Sequence, residues 1–318
     1  MTAVWNAPLA RRLAPSRLYD RLYEVYRQVF RSRLRAHIDA ADLVHTFSTG
    51  YLSRLAIEEC NRSGKPVVAS PTVHFGQWGD SPAQMRAYGR ANAVTCPTQA
   101  FARRLRQRID CRGAPILVQP PLSRATARTG SAPARIEGDG PFVLFIGRRE
   151  PYKGVDLLIE AFRQADVDAW RLVVAGPGAA VTGDERIIDV GEVTDEEKLW
   201  LLRECSIFCL PSSSESFGLV IAEAMQQGRP VVGLDVEPVN ELIQDGVTGC
   251  CVPAGSSSLL AGALEHLMAD ADLRERLGRA ARERYRRLYS REKTIDDLTA
   301  LYERLQDGVG PTRLETKH

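Results

Sequence analysis

Ser206-Ile-Phe-Cys-Leu-Pro211, running through Ser212-Ser-Ser-Glu215-Ser-Phe-Gly-Leu-Val-Ile-Ala-Glu223, decides how this chain is read. An apolar run of strand length is followed by a polar loop, then by helical periodicity ending at Gln227-Gly-Arg-Pro230. The strand delivers Glu215 to a loop at its carboxyl end. The helix carries Glu223 about a turn and a half inside its start. This arrangement is expected to turn both acids, and the free backbone N–H groups of Phe217, Gly218 and Leu219, into one crevice. Such N–H groups attract phosphate, and an ionised carboxylate can accept from neighbouring hydroxyls. Taken alone, two glutamates near a helix start are structural more often than functional, so their weight comes from what converges with them.

Working outward, the whole chain alternates between strand and helix patterns. Upstream, strands are expected at Asp42–Phe47, Pro66–Ser70, Ala93–Cys96 and Ile116–Gln119, with helices at Tyr51–Ser63 and Gln99–Arg108. Ser123 to Gly140 is rich in Ser, Arg, Ala, Thr and Gly with little to bury, and reads as a linker. A second series comes next: strands Phe142–Ile146, Arg171–Ala175, Arg186–Val190 and Pro230–Gly233, and helices Gly154–Phe162, Asp195–Glu204 and Val239–Ile243. Thr194 and Glu197 form a capping box, and long charged helices run from Ser257 to Tyr289. Alternating βα units predict parallel sheets with helices on both faces. The division is placed at 1–136 and 137–318, two Rossmann-like domains facing a cleft, with the last helix, 291–306, packing back on the first. Ligands in such folds sit beyond the carboxyl ends of the strands.

Bulk properties narrow the classes. At 318 residues the chain is long enough for two ordinary domains. A net charge of +2 excludes a globally basic nucleic-acid binder. Seven cysteines without a Cys-x-x-Cys pair, several in apolar settings such as Ile207-Phe-Cys209, predict buried reduced thiols rather than disulfides or a zinc site. No apolar stretch reaches membrane-span length and the start is unlike a signal peptide. A cytoplasmic location is therefore expected.

Gly147-Arg-Arg-Glu-Pro-Tyr-Lys153-Gly154 comes directly after the first strand of the second series. Arg148 and Lys153 are cations at a strand's carboxyl end, suited to a diphosphate that gains charge as its bond to sugar breaks; a solvated basic loop is the structural counterpart. With Glu215 and Glu223 opposite, the set fits a sugar nucleotide. Gly147-Arg148, Lys153-Gly-Val-Asp-Leu-Leu-Ile-Glu-Ala-Phe162, Val174-Ala-Gly-Pro-Gly178, Gly191-Glu-Val193, Pro211-Ser-Ser-Ser-Glu215-Ser-Phe-Gly218 and Glu223-Ala-Met together resemble the retaining GT-B glycosyltransferases of family 4. The order and spacing fit from about residue 141 to 290.

The resemblance implies that Arg148 and Lys153 contact the donor diphosphate, Glu215 the transferred sugar and Glu223 the nucleotide ribose. It also implies sugar and phosphate contacts at Gly147, Ser216 and the Phe217, Gly218 and Leu219 amides, and a nucleobase resting near Gly191 to Val193. His74, in Thr72-Val-His-Phe75, stands where similar enzymes carry a His near the anomeric carbon; a satisfied loop histidine is its plain alternative. His37, His45 and His266 read as structural. The implied activity is retaining, metal-independent transfer of a hexose-type sugar from a UDP- or GDP-sugar to an unidentified acceptor, with no resident cofactor. Sugar-nucleotide epimerisation and a non-catalytic partner subunit or remnant are the alternatives.

Asp166-Val-Asp168 and Asp270-Ala-Asp272 have a metal-like spacing, but both fall where helices end, and loop capping is expected of them. Gly176-Pro-Gly178 lacks the third glycine of a dinucleotide fingerprint. The chain departs from the family pattern at its start, where Met1-Thr-Ala-Val-Trp-Asn-Ala-Pro8 replaces the usual apolar strand and glycine loop, so the first domain is expected to be shortened or truncated. It departs again at Glu237-Pro-Val-Asn-Glu241, where relatives carry glycines. From Leu13 to Ile38, six arginines (Arg17, Arg21, Arg27, Arg31, Arg33, Arg35) interleave with apolar residues. Such a helix either packs on the first sheet with its arginines in solvent or lies on anionic lipid.

Overall fold

The computed structural model describes residues 16–47, 50–73, 75, 80–109, 116–121, 130–136, 140–165, 169–181 and 183–308, with side chains from residue 21 onward. Two compact units emerge: Met1–Pro120 with Ile295–His318, and Pro121–Thr294.

In the first unit, α1 (Ser16–Asp39), β1 (Val44–Thr46), α2 (Tyr51–Ser63), β2 (Val67–Ala69), α3 (Pro82–Tyr88), β3 (Ala93–Cys96), α4 (Gln99–Arg106) and β4 (Ile116–Val118) succeed one another. The strands form one parallel sheet in the order β1-β2-β3-β4. Alternation along each strand sends residues to opposite faces. Val67, Ala69, Val94 and Cys96 meet Ile57, Tyr88, Phe101 and Leu105 of the helices on one face. On the other face Val68, Ala93 and Leu117 meet Leu301 and Leu305 of the last helix, α11 (Arg291–Gln306).

In the second unit, β5 (Phe142–Ile146), a 3₁₀ turn (Pro151–Lys153), α5 (Val155–Gln164), β6 (Arg171–Ala175), β7 (Ile187–Gly191), α6 (Asp195–Glu204), β8 (Ile207–Leu210), α7 (Leu219–Gln226), β9 (Val231–Leu234), α8 (Val239–Leu242) and β10 (Gly249–Val252) precede α9 (Ser257–Ala269) and α10 (Ala271–Leu288). The parallel sheet runs β10-β9-β8-β5-β6-β7. Every residue of β5 and β8 is buried, which is why both read as unbroken apolar runs rather than alternating ones. The long helical stretch after Ser257 is two helices. Asp270 parts them and accepts a hydrogen bond from the Leu273 amide at 2.8 Å as the N-cap of α10. The Thr194–Glu197 capping box opens α6.

Strand order reverses between β5 and β8, and in a doubly wound sheet that reversal opens a crevice beyond the strands' carboxyl ends. The loops after these two strands carry Arg148, Lys153 and Glu215. They are joined directly: the Tyr152 carbonyl accepts from the Ser213 amide at 2.8 Å and from the Ser212 hydroxyl at 3.0 Å. Gly154, at φ 74°, permits this approach, since a Cβ there would stand 2.1 Å from the Pro211 carbonyl oxygen.

Candidate donor site at the strand reversal of the second unit

Lys153 ends the 3₁₀ turn after β5, and its ammonium donates to Glu215 Oε1 at 2.6 Å. Both side chains are largely buried, at 16% and 9% exposure. A cation and a carboxylate are therefore held at the mouth of the β5/β8 reversal. Arg148 lies one residue beyond Gly147 with 60% of its side chain exposed, donating to the Tyr152 hydroxyl at 2.5 Å and pairing with Glu150 at 3.0 Å. Burial raises the Tyr152 phenol, the Arg148 charge works against that rise, and Glu150 and Glu215 reinforce it. Arg148, Tyr152, Lys153 and Glu215 thus form one electrostatic neighbourhood. Arg149, the neighbouring cation, is committed elsewhere, to Asp189 of β7.

Glu223 sits in the second turn of α7 and is turned inward, with only 5% of its side chain exposed. Its two oxygens lie 2.8 and 3.0 Å from the Lys198 ammonium of α6. The expectation of two acids converging on one crevice is refined here: Glu215 and Glu223 each have their own lysine. A small recess lined by Asp195, Lys198, Glu223 and Gln226 lies beside the second pair.

Between the acids, Phe217 is buried and meets Tyr289 edge-on at 5.7 Å. Its ring serves packing, leaving only its backbone for a ligand. Ser216 is exposed and Leu219 is 42% exposed. Gly218 starts α7 at φ 94° with no side chain capping the first amides, so the helix start keeps donors available to an anion. At the far edge, the Gly191 carbonyl accepts from the Gly176 amide at 2.7 Å, and Val193 packs partly on the core. Gly147 is tied to β6 through its amide and the Ala175 carbonyl at 3.0 Å.

His74 lies outside the described residues, as do Asp166 and Asp168. His45 bridges the Tyr302 hydroxyl (2.5 Å) and the Ser70 hydroxyl (2.7 Å) in the first unit, a structural role. Among the described residues no three His, Cys, Asp or Glu side chains gather as a metal-binding set. The sequence reading missed Lys198, Tyr152 and the Arg149–Asp189 pair. Lys198 looked like one more charge on a capped helix, and nothing local announces a partner 25 residues away.

The second unit thus sets an acid–lysine pair and an uncapped helix start at the strand reversal of a parallel sheet. Residues 129–284 match the family model for glycosyl transferases group 1, and residues 5–121 match glycosyltransferase family 4. The chain belongs to this family of GT-B glycosyltransferases. Over 175 residues it is 36% identical to phosphatidyl-myo-inositol mannosyltransferase of Mycobacterium leprae, covering 52% of this chain and 46% of that protein. Over 176 residues it is 34% identical to alpha-D-kanosaminyltransferase of Streptomyces kanamyceticus, with the same coverages, 52% and 46%. The chain thus spans about half the length of these curated relatives. Among solved structures, sucrose-phosphate synthase from Thermosynechococcus elongatus superposes with a TM-score of 0.69 at 20% identity, covering 92% of this chain and 79% of that one. Anabaena HepE in complex with UDP and glucose gives 0.69 at 19%, covering 86% and 80%. These likenesses establish the fold.

Proposed function

We propose that the protein is a retaining, metal-independent glycosyltransferase that moves a hexose-type sugar from a UDP- or GDP-sugar to an acceptor. The observation that carries the reading is the Lys153–Glu215 pair, 2.6 Å apart beside the exposed Arg148, at the strand reversal where such sheets bind ligands. Bound donor diphosphate shares the Lys153 ammonium and takes Arg148 and the Gly218–Leu219 amides. As the bond from anomeric carbon to phosphate oxygen breaks, these fixed cations and dipoles meet the charge left on the phosphate, the role a divalent ion plays in other transferases. Glu215 accepts hydroxyls of the transferred sugar, and Glu223, oriented by Lys198, those of the ribose. The acceptor oxygen adds to the face the phosphate leaves, and the departing phosphate oxygen takes the acceptor proton, so configuration is retained. His74 is assigned to the sugar near its anomeric carbon, on the family resemblance.

A cytoplasmic location with peripheral contact to an anionic membrane completes the reading. Val25 and Val29, 59% and 58% exposed on α1, supply an apolar stripe for that contact, flanked by the exposed Arg21 and Arg33. The decisive experiment pairs calorimetry against UDP- and GDP-sugars with turnover of Glu215→Gln. Donor binding by the parent chain, turnover insensitive to chelator, and a loss of roughly a hundredfold or more in kcat for the variant are expected. Unchanged transfer by Glu215→Gln would sink the assignment.

A further inference from the structure

β7 is the edge strand of the second sheet, and its pairing with β6 is irregular: Val174 faces Asp189, but Ala175 faces Gly191, so Val190 bulges out. A bulge re-aims the chain beyond it, and the segment beyond this one is Gly191-Glu-Val193. Asp189 sits at the start of the bulge and holds it from both sides. Its Oδ1 accepts the Gly191 amide at 2.9 Å, across the bulge, and its Oδ2 accepts the Val181 amide at 2.8 Å, from the loop after β6. The Arg149 guanidinium, from the loop after β5, completes the knot with paired hydrogen bonds to both carboxylate oxygens, one of them at 2.6 Å. Arg149 also donates to the Ala179 carbonyl. Its stem lies against Gly178, where a Cβ would come within 2.5 Å of Arg149 Cβ. The loops after β5 and β6 and the end of β7 thus share one buried ion pair, with 4% and 10% of the two side chains exposed.

We propose that Arg149 and Asp189 are a positioning pair that sets the bulge in β7 and so holds Gly191 to Val193 at the distance and angle a nucleobase requires. The inference rests on the donor-site reading above, in which that segment carries the base. The cost of burying two charges gives it weight: a hydrophobic pair of similar volume would stabilise the edge as well. Only the carboxylate, however, can accept the Gly191 and Val181 amides together. Burial opposes ionisation of Asp189, but the bonds from Arg149 and the two amides outweigh it and hold the carboxyl below its usual range. The carboxylate form that accepts both amides is therefore the favoured one.

The distinguishing variant is the double replacement Arg149→Leu with Asp189→Leu, beside the single Asp189→Asn and Arg149→Lys. The measurements are thermal unfolding, calorimetry with UDP and with GDP, and amide exchange at Val181 and Gly191. The double variant is expected to stay folded, unfolding somewhat below the parent because the Val181 and Gly191 amides lose their acceptor, and to bind the preferred nucleotide roughly tenfold or more weakly, with a raised donor KM, an unchanged kcat and faster exchange at both amides. Arg149→Lys, which keeps the carboxylate neutralised, is expected to fall between the parent and Asp189→Asn. Parent-like nucleotide affinity in a folded double variant overturns the positioning role and leaves the donor site standing. A parent chain that binds neither nucleotide overturns the donor-site reading and this inference with it.

Discussion

Lys198 shows at the scale of single residues how a site can be built from a pairing no local pattern displays. Its ammonium lies within 3.0 Å of both Glu223 oxygens. Glu223 is buried enough that its charge needs that partner. Fully buried pairs cost about 3–5 kcal/mol when one member is removed. Lys198 keeps 26% of its side chain exposed, so water restores part of the loss. Lys198→Met is therefore expected to destabilise the chain by about 1–2 kcal/mol in urea titration and to raise donor KM more than it lowers kcat. An unchanged KM would show that Glu223 is merely packing. The motif residues were legible because strand–loop–helix punctuation places them. Their partners were not, because an ion pair between α6 and α7 depends on how two helices meet.

At the scale of elements, α1 changed most between sequence and structure. The arginines interleaved with apolar residues left two readings, a helix packed on the first unit with its arginines in solvent or one lying on anionic lipid. In the structure Arg27 pairs with Glu24, Arg31 with the buried Glu59 and Arg35 with Asp39, while Tyr23 packs inward and donates to Glu58 at 2.7 Å. Val25 and Val29 point outward instead. Replacing both with Asp is expected to abolish co-sedimentation with phosphatidylglycerol vesicles, whereas Arg27→Gln leaves most of it. Equal binding by the Val25→Asp, Val29→Asp variant and the parent would remove the membrane contact. Strand and helix identities came through the sequence well, since fully apolar runs and capped periodicity are local signals. The bulge in β7 did not, because Asp189 looks like an ordinary polar residue until Val181, Gly191 and Arg149 are brought round it.

At the scale of the whole molecule, pH acts on the first unit through His45. Burial pulls its imidazole down to about 4, with Asp42 and Glu303 the acids lining the same groove. Near neutrality the ring is uncharged both folded and unfolded. Below its ordinary value of 6.5 the unfolded chain takes a proton that the folded chain refuses until about pH 4, so stability falls across that window. Allowing for partial exposure, the loss from this residue is about 2 kcal/mol. Urea unfolding at pH 7 and pH 4.5 should show a slope that His45→Gln flattens; parallel slopes would assign the pH response to other groups. Burial also pushes the Cys60 thiol up to about 11 and Cys205 to about 12, as expected of reduced core cysteines.

By itself the sequence determined two parallel α/β units and the placement of Arg148, Lys153, Glu215 and the Gly218 helix start at strand ends, because apolar periodicity and turn residues act over a few neighbours. Only the tertiary structure decided which charge answers which: Lys153 to Glu215, Lys198 to Glu223, Arg149 to Asp189. Each of those pairs joins side chains 25 to 62 residues apart. Coulomb attraction and hydrogen bonding are set by distance in space, and only the packing of sheet and helices brings those side chains within reach.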